Sequence, residues 1–93
     1  MNSALAKLDA LIDEYLAGKQ RWEVFWRSFM DTYGDARLSA EDEARYEEAY
    51  DAVYMGSAGR VPAEERSVGV LDEDEVKERL RAFRVGGRGA RPA

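Results

Sequence analysis

The chain of 93 residues contains no cysteine and no histidine, and it has only two prolines. Without cysteine it can form neither a disulfide nor a thiolate site. Without histidine it lacks the usual general base near neutral pH and the commonest metal ligand. Nucleophilic catalysis by a Ser–His or Cys–His pair is therefore excluded. We expect a protein that is not an enzyme and that holds no metal and no cofactor.

Long apolar runs are also missing. No stretch is apolar for long enough to span a bilayer. The first 16 residues are interrupted by Lys7, Asp9, Asp13 and Glu14, a pattern that does not fit a secretory signal. We therefore expect a cytoplasmic protein that does not bind membranes. Hydrophobic residues still make up 45% of the chain, which is enough for a modest core in one domain.

The net charge of −5 conceals an uneven distribution along the chain. Residues 1–75 contain 18 acidic and 8 basic residues, so this part carries −10. Residues 76–93 contain 1 acidic and 6 basic residues, so this end carries +5. An acidic body repels phosphates, which argues against direct binding of nucleic acid. It favours a basic protein as the partner.

Apolar residues recur at spacings of three and four along four segments, which predicts four amphipathic helices. Their expected bounds are about residues 4–17, 20–33, 40–55 and 73–85. The fold class expected from them is an all-α, antiparallel four-helix bundle with a long loop, 56–71, between helices 3 and 4. No segment predicts a strand. We expect residues 1–85 to form this single domain and residues 86–93 to form a flexible basic tail.

Capping residues mark several of the predicted helix ends. Ser39 is expected to cap the third helix. Asp72 and Glu75 have the spacing of a capping box at the start of the fourth. Gly18, in the left-handed conformation, and Gly34 are expected to end the first and second helices.

The long loop contains three glycines and one proline, which argue against a continuous helix. Pro62 can begin one short helical turn that ends near Arg66. The following residues, 67–71, are predicted to be extended. A loop of this length is either a mobile functional segment or a packed crossover to the last helix.

Aromatic side chains dominate the predicted core. The apolar stripe of the second helix consists of Trp22, Phe25, Trp26, Phe29, Met30 and Tyr33. The stripe of the third helix consists of Tyr46, Tyr50, Val53 and Tyr54. At helical spacing such stripes are more typical of a core than of a binding surface.

Acidic side chains form two clusters that the fold does not require. The first lies opposite the aromatic stripe of the third helix and consists of Glu41, Glu47, Glu48 and Asp51. Glu41 complements the helix dipole, but the other three lie too far along the helix for that explanation. The second cluster consists of Asp72, Glu73 and Asp74. Both clusters fit either a solvated surface or an anionic docking surface, in which Tyr54 would supply an apolar centre.

Two further functions remain open from the residues. Glu48 and Asp51 have the ExxD spacing found on one helix of some all-α nucleotide pyrophosphatases, and Asp13 and Glu14 could face them to hold Mg²⁺. The second acidic motif of such enzymes is not present in full. An adaptor bundle that self-associates is the other alternative.

Three segments together resemble the immunity proteins of the colicin D type, which are small acidic helical inhibitors of a tRNA-cleaving toxin. They are LIDEYLAGKQRWEVFWRSF, the acidic EDEARYEEAYDAVY, and VLDEDEVKERLRAF after the long loop. The resemblance covers residues 4–84 and implies a cognate nuclease toxin, an RNase or tRNase, as partner of a protein that is monomeric when free. It implies that acidic side chains fill a site meant for RNA, and we assign this role to Glu41, Glu47, Glu48, Asp51, Asp72, Glu73 and Asp74.

Overall fold

The computed structural model describes residues 3–86, and within this range the chain is all-helical. Its helices are α1 (Ser3–Leu16), α2 (Trp22–Asp35), α3 (Ala40–Tyr54), α4 (Ala63–Ser67) and α5 (Glu73–Gly86). No strand occurs among residues 3–86. Gly56 and Leu71 form an isolated parallel β-bridge. The all-α class is thus confirmed. The predicted helices 1 to 4 correspond to α1, α2, α3 and α5.

Two compact units divide the chain, Met1–Glu43 and Ala44–Ala93. The first contains α1, α2 and the first turn of α3, and the second contains the rest of α3 with α4 and α5. The antiparallel four-helix bundle and the single domain over residues 1–85 stay predictions. The basic tail predicted for residues 86–93 lies outside the described residues, except for Gly86, which ends α5.

The core of the first unit contains a set of aromatic rings in mutual contact where α1 packs against α2. The rings of Tyr15 and Phe25 are nearly parallel, with centroids 4.4 Å apart. Trp22 and Phe29 lie on either side of Phe25 at centroid distances of 6.0 and 5.7 Å. The buried residues of this unit are Leu8, Leu11, Ile12, Tyr15, Trp22, Phe25 and Phe29. Rings of this size bury about 150–250 Å² each, so they dominate the packing energy of the unit.

Gly18 ends the C-terminal turn of α1 as the sequence predicts. Its φ of +82° is left-handed. Its N–H donates to the Tyr15 carbonyl at 3.0 Å, and the Lys19 N–H donates to the Glu14 carbonyl at 2.9 Å. These two bonds form a Schellman motif, which satisfies carbonyls that the helix end leaves without partners.

Two predictions about α2 are wrong. Gly34 does not end the helix, which continues to Asp35. The left-handed residue after it is Arg37, with a φ of 51°. Glycine permits that conformation without requiring it, so a glycine inside a helix costs only about 1 kcal/mol. Trp26 is 40% exposed and lies at the edge of the core rather than within it.

The buried residues of the second unit lie on α3 and α5. They are Tyr46, Ala49, Ala52, Val53, Val76, Leu80 and Phe83. The ring of Tyr46 meets the ring of Phe83 edge to face, with centroids 5.0 Å apart. Burial of Tyr46 and Val53 confirms part of the predicted stripe.

The predicted core position of Tyr54 is wrong, and Tyr50 lies at the edge of the core. Tyr50 is only half-buried, and Tyr54 is 61% exposed. Ala49 and Ala52 are buried instead, so the side of α3 that faces the core carries these two small residues. A pattern weighted by large apolar residues overlooks alanine, because a methyl group adds little hydrophobic area.

Residues 56–71 connect α3 to α5, and we call them the crossover; most of them are exposed and none is buried. Pro62 begins α4, because its carbonyl accepts the N–H groups of Glu65 and Arg66 at 3.1 and 3.0 Å. The predicted turn after Pro62 is therefore confirmed. The prediction that residues 67–71 are extended is wrong for their first part, where Gly69 is left-handed at a φ of +100° and ends α4.

Candidate functional site

Three carboxylates stand together on the exposed side of α3, and we call them the acidic face: Glu47, Glu48 and Asp51. With about 100° of rotation per helical residue, they and Tyr54 lie within about 120° of one another. Within residues 3–86, none of the three side chains makes an ion pair or a hydrogen bond. Their negative charges are therefore not neutralised by any described neighbour.

Tyr54 adds an aromatic group to the same side of α3. Its ring is 61% exposed and stacks on Tyr50, with centroids 5.9 Å apart and planes 15° from parallel. Stacking restricts the ring before any partner arrives, which lowers the entropy lost on binding. Glu41 is also exposed, but it lies in the first turn of α3. That turn is capped by Ser39, whose Oγ accepts the Asp42 N–H at 3.1 Å, as predicted.

The second acidic cluster is mostly engaged within the protein. The side chain of Asp72 is only 15% exposed. Its Oδ1 accepts the Glu75 N–H at 3.1 Å, and Glu75 Oε1 accepts the Asp72 N–H at 3.3 Å. This reciprocal pair is the capping box that the sequence predicts at the start of α5. Asp74 is exposed, whereas Glu73 Oε1 accepts the Gly59 N–H at 3.0 Å.

Arg66 joins α4 to this capping box, and we call Arg66, Asp72 and Glu75 the ion-pair cluster. Arg66 Nη1 lies 2.8 Å from Asp72 Oδ2 and 2.8 Å from Glu75 Oε1. Its Nη2 donates to Glu75 Oε2 at 3.1 Å, which makes the contact with Glu75 bidentate. The hydrogen bond and charge of Glu75, followed by the charge of Asp72, raise the pKa of Arg66. Because Arg66 is 43% exposed, solvent screens this attraction.

Backbone hydrogen bonds hold both ends of the crossover. The Leu71 N–H donates to the Met55 carbonyl at 2.9 Å, beside the end of α3. The Glu73 N–H donates to the Gly59 carbonyl at 2.8 Å. With the ion-pair cluster, these bonds connect the crossover to the end of α3 and the start of α5. Both alternatives for this segment, a packed crossover and a mobile functional loop, stay predictions.

A cavity of about 360 Å³ opens between the end of α3, the crossover and α5. It is lined by Asp51, Met55, Arg66, Gly69, Val70, Leu71, Glu75 and Arg79. Among the sequence-predicted site residues, only Asp51 lines this cavity. Sequence reasoning missed Arg66 and Arg79, because no local pattern relates them to a residue on another helix. A single base within the acidic run AEER was the one available signal for Arg66.

The part of the chain that the structure describes contains no group of three or more Asp or Glu residues placed to hold a metal ion. It therefore adds no observation in favour of the magnesium-dependent alternative. None of the helices over residues 3–86 combines the length and the apolar character needed to cross a membrane.

Comparison with protein-family models, with curated proteins and with solved structures finds no match to this chain. The likeness to immunity proteins of the colicin D type is therefore one of sequence pattern and element order. It stays a prediction.

Proposed function

We propose that the protein is an immunity protein, an inhibitor that binds a cognate bacterial nuclease toxin and blocks its RNase or tRNase site. The observation that carries this proposal is the acidic face, whose three exposed carboxylates have no ion-pair or hydrogen-bond partner among residues 3–86. Their negative charges would stand in for the phosphates of the nucleic acid. We further propose that the protein is cytoplasmic, that it is monomeric when free, and that its four long helices form an antiparallel bundle.

The geometry of α3 suits this role. Glu47 and Asp51 are one turn apart, which places them roughly 6 Å apart along the helix axis. A helix holds its side chains at fixed spacing, so little backbone entropy is lost when a partner binds. A nuclease cleft is basic because it binds phosphates, and complementary charge speeds association with an acidic protein.

Tyr54 is proposed as the apolar anchor of the interface. Tyrosine is enriched among the residues that contribute most binding energy, especially when neighbouring side chains exclude water from it. Glu41 and Asp74 are exposed, and we assign them to the polar rim of the interface as further contacts with the toxin. Asp72 and Glu73 act indirectly, because their carboxylates hold the start of α5 and the crossover in place.

The direct test is complex formation with the nuclease toxin encoded beside the gene for this chain. Co-expression should yield a stable complex on size-exclusion chromatography. It should also protect cells from killing by the toxin. Absence of both the complex and the protection would contradict the proposal.

The contribution of the acidic face is tested by the double variant Glu47→Lys with Asp51→Lys. Its association rate with the toxin should fall about tenfold or more at low salt, since electrostatic steering accelerates association by that much or more. The salt dependence of the rate should weaken as well. A matched control is Glu23→Lys with Asp31→Lys, which makes the same change of charge at exposed positions of α2. Equal rates for the two double variants would remove α3 from the interface.

A further inference from the structure

The cavity beside Asp51 has the size and lining of a site for one long side chain. Its volume of about 360 Å³ is near the lower end of the range for ligand pockets, about 300–1,000 Å³. Met55, Val70 and Leu71 supply apolar surface along its walls. Methionine is flexible and polarisable, so Met55 can adjust to the shape of an inserted group.

The charges on the cavity walls fall into two kinds. Arg66 and Glu75 are bonded to each other in the ion-pair cluster, where Asp72 adds a second carboxylate, so this cluster carries a net charge of −1. Asp51 and Arg79 make no ion pair or side-chain hydrogen bond with any residue among 3–86. These two opposite charges are therefore the ones available to an incoming group.

The surroundings decide which sign is favoured. Glu47 and Glu48 lie on the same side of α3 as Asp51, within one turn of it. Together with the ion-pair cluster, the acidic face makes this region negative, and Arg79 offsets only one of these charges. The local potential therefore attracts a cation, since the summed charge distribution determines the field at a surface opening.

We infer that this cavity receives an arginine or lysine side chain of the protein partner, whose cationic group pairs with Asp51. Arginine and lysine combine an apolar stem with a charged end, which matches walls of Met55, Val70 and Leu71 next to a carboxylate. This inference rests on the proposed function, because it names the chemistry by which the partner is anchored beside the acidic face.

A capped amino acid tests the cavity without the toxin. The probe is Nα-acetyl-arginine N-methylamide, titrated into the full chain at constant ionic strength and followed by NMR of the Met55 methyl group and the Gly69 amide. We expect saturable shifts at both positions. The same compound built on norleucine, which lacks the charge, should bind more weakly.

Two variants determine whether the cavity favours a cationic or an anionic group. Asp51→Asn should weaken binding of the arginine probe about fivefold, the effect of one unit charge at about 4 Å in water. Arg79→Gln should strengthen it by a similar factor, because a like charge is removed. Asp31→Asn, an exposed carboxylate on α2, is the matched control and should leave binding unchanged.

The inference is overturned if the shifts do not saturate or if the norleucine compound binds equally well. A third probe is the same compound built on glutamate. The inference is also overturned if this anionic probe binds better than the arginine probe and the Arg79→Gln variant no longer binds it, because the occupant would then be anionic. None of these results depends on the toxin. A negative result for the cavity is thus distinguishable from a negative result for the proposed function, because the proposed function is tested by complex formation with the toxin.

Discussion

Asp72 links the capping of α5 to the ion-pair cluster, and two substitutions separate these roles. Asp72→Ala should lower the free energy of unfolding by about 1–2 kcal/mol, because it removes an N-cap and an ion pair together. Asp72→Asn should lower it much less. Asparagine caps helices about as well as aspartate but carries no charge.

The magnitudes follow from the two carboxylate oxygens of Asp72. Oδ1 accepts the Glu75 N–H at 3.1 Å, and loss of such a cap costs about 0.5–2 kcal/mol. Oδ2 lies 2.8 Å from Arg66 Nη1, but Arg66 is 43% exposed. An ion pair with one partner so exposed is screened by solvent and contributes little. The cap should therefore account for the larger share.

Urea unfolding followed by circular dichroism measures both effects. For a small protein, with a slope of roughly 1–3 kcal/mol per M, a loss of about 1.5 kcal/mol moves the midpoint by roughly 0.5–1.5 M. Asp74→Ala is the matched control, since it removes an exposed carboxylate from the same turn of α5. Its effect should stay within about 0.5 kcal/mol.

The result that would refute this reasoning is equal destabilisation by alanine and asparagine. The ion pair, rather than the cap, would then be the main contribution of Asp72. Salt gives an independent check, because at about 1 M the screening length is about 3 Å. The small difference between the wild type and Asp72→Asn should shrink there, whereas the difference between asparagine and alanine should persist.

Three further predictions concern the core, the crossover and pH. Phe25→Ala should cost about 3–5 kcal/mol in urea unfolding, because the ring is fully buried and stacked, whereas Val24→Ala at an exposed position should cost under about 1 kcal/mol. Gly69→Ala should destabilise more than Gly59→Ala in the same assay. Both glycines have positive φ, but the +100° of Gly69 lies farther from the left-handed well at about +57° than the +67° of Gly59, so an alanine at Gly69 is more strained. Equal effects would contradict this difference in backbone strain. Folding raises the pKa of the Arg66 guanidinium, so its charge stabilises the folded state fully at any pH below the pKa it has in the unfolded chain. This stabilisation is lost only as the pH rises through the folded-state pKa. The difference in urea midpoint between the wild type and Arg66→Gln should therefore stay constant from neutral to mildly alkaline pH.

Local signals account for most of what the sequence predicts correctly. Gly18, Ser39 and the Asp72–Glu75 capping box act on backbone groups within a few residues, so their geometry follows from chemistry that the sequence displays directly. The four long helices follow from apolar spacing for the same reason. Local spacing also placed Glu47, Glu48 and Asp51 on one exposed side of α3.

Other features depend on which residues meet in space. Helical spacing assigns Tyr54 to the core, but the packing of α3 buries Ala49 and Ala52 and leaves Tyr54 exposed. Gly34 shows the same limit, since its local preference for a helix end did not prevent α2 from continuing.

The sequence by itself determined the all-α class, the helix ends that are capped locally and the presence of an acidic face. Only the tertiary structure decided that Asp72 is engaged by Arg66, and that Asp51 shares a cavity with Met55 and Arg79. The physical reason is the sequence separation over which each interaction acts. Capping and periodicity act within one or two turns, whereas a cavity and an ion pair between helices arise when the crossover brings distant residues together.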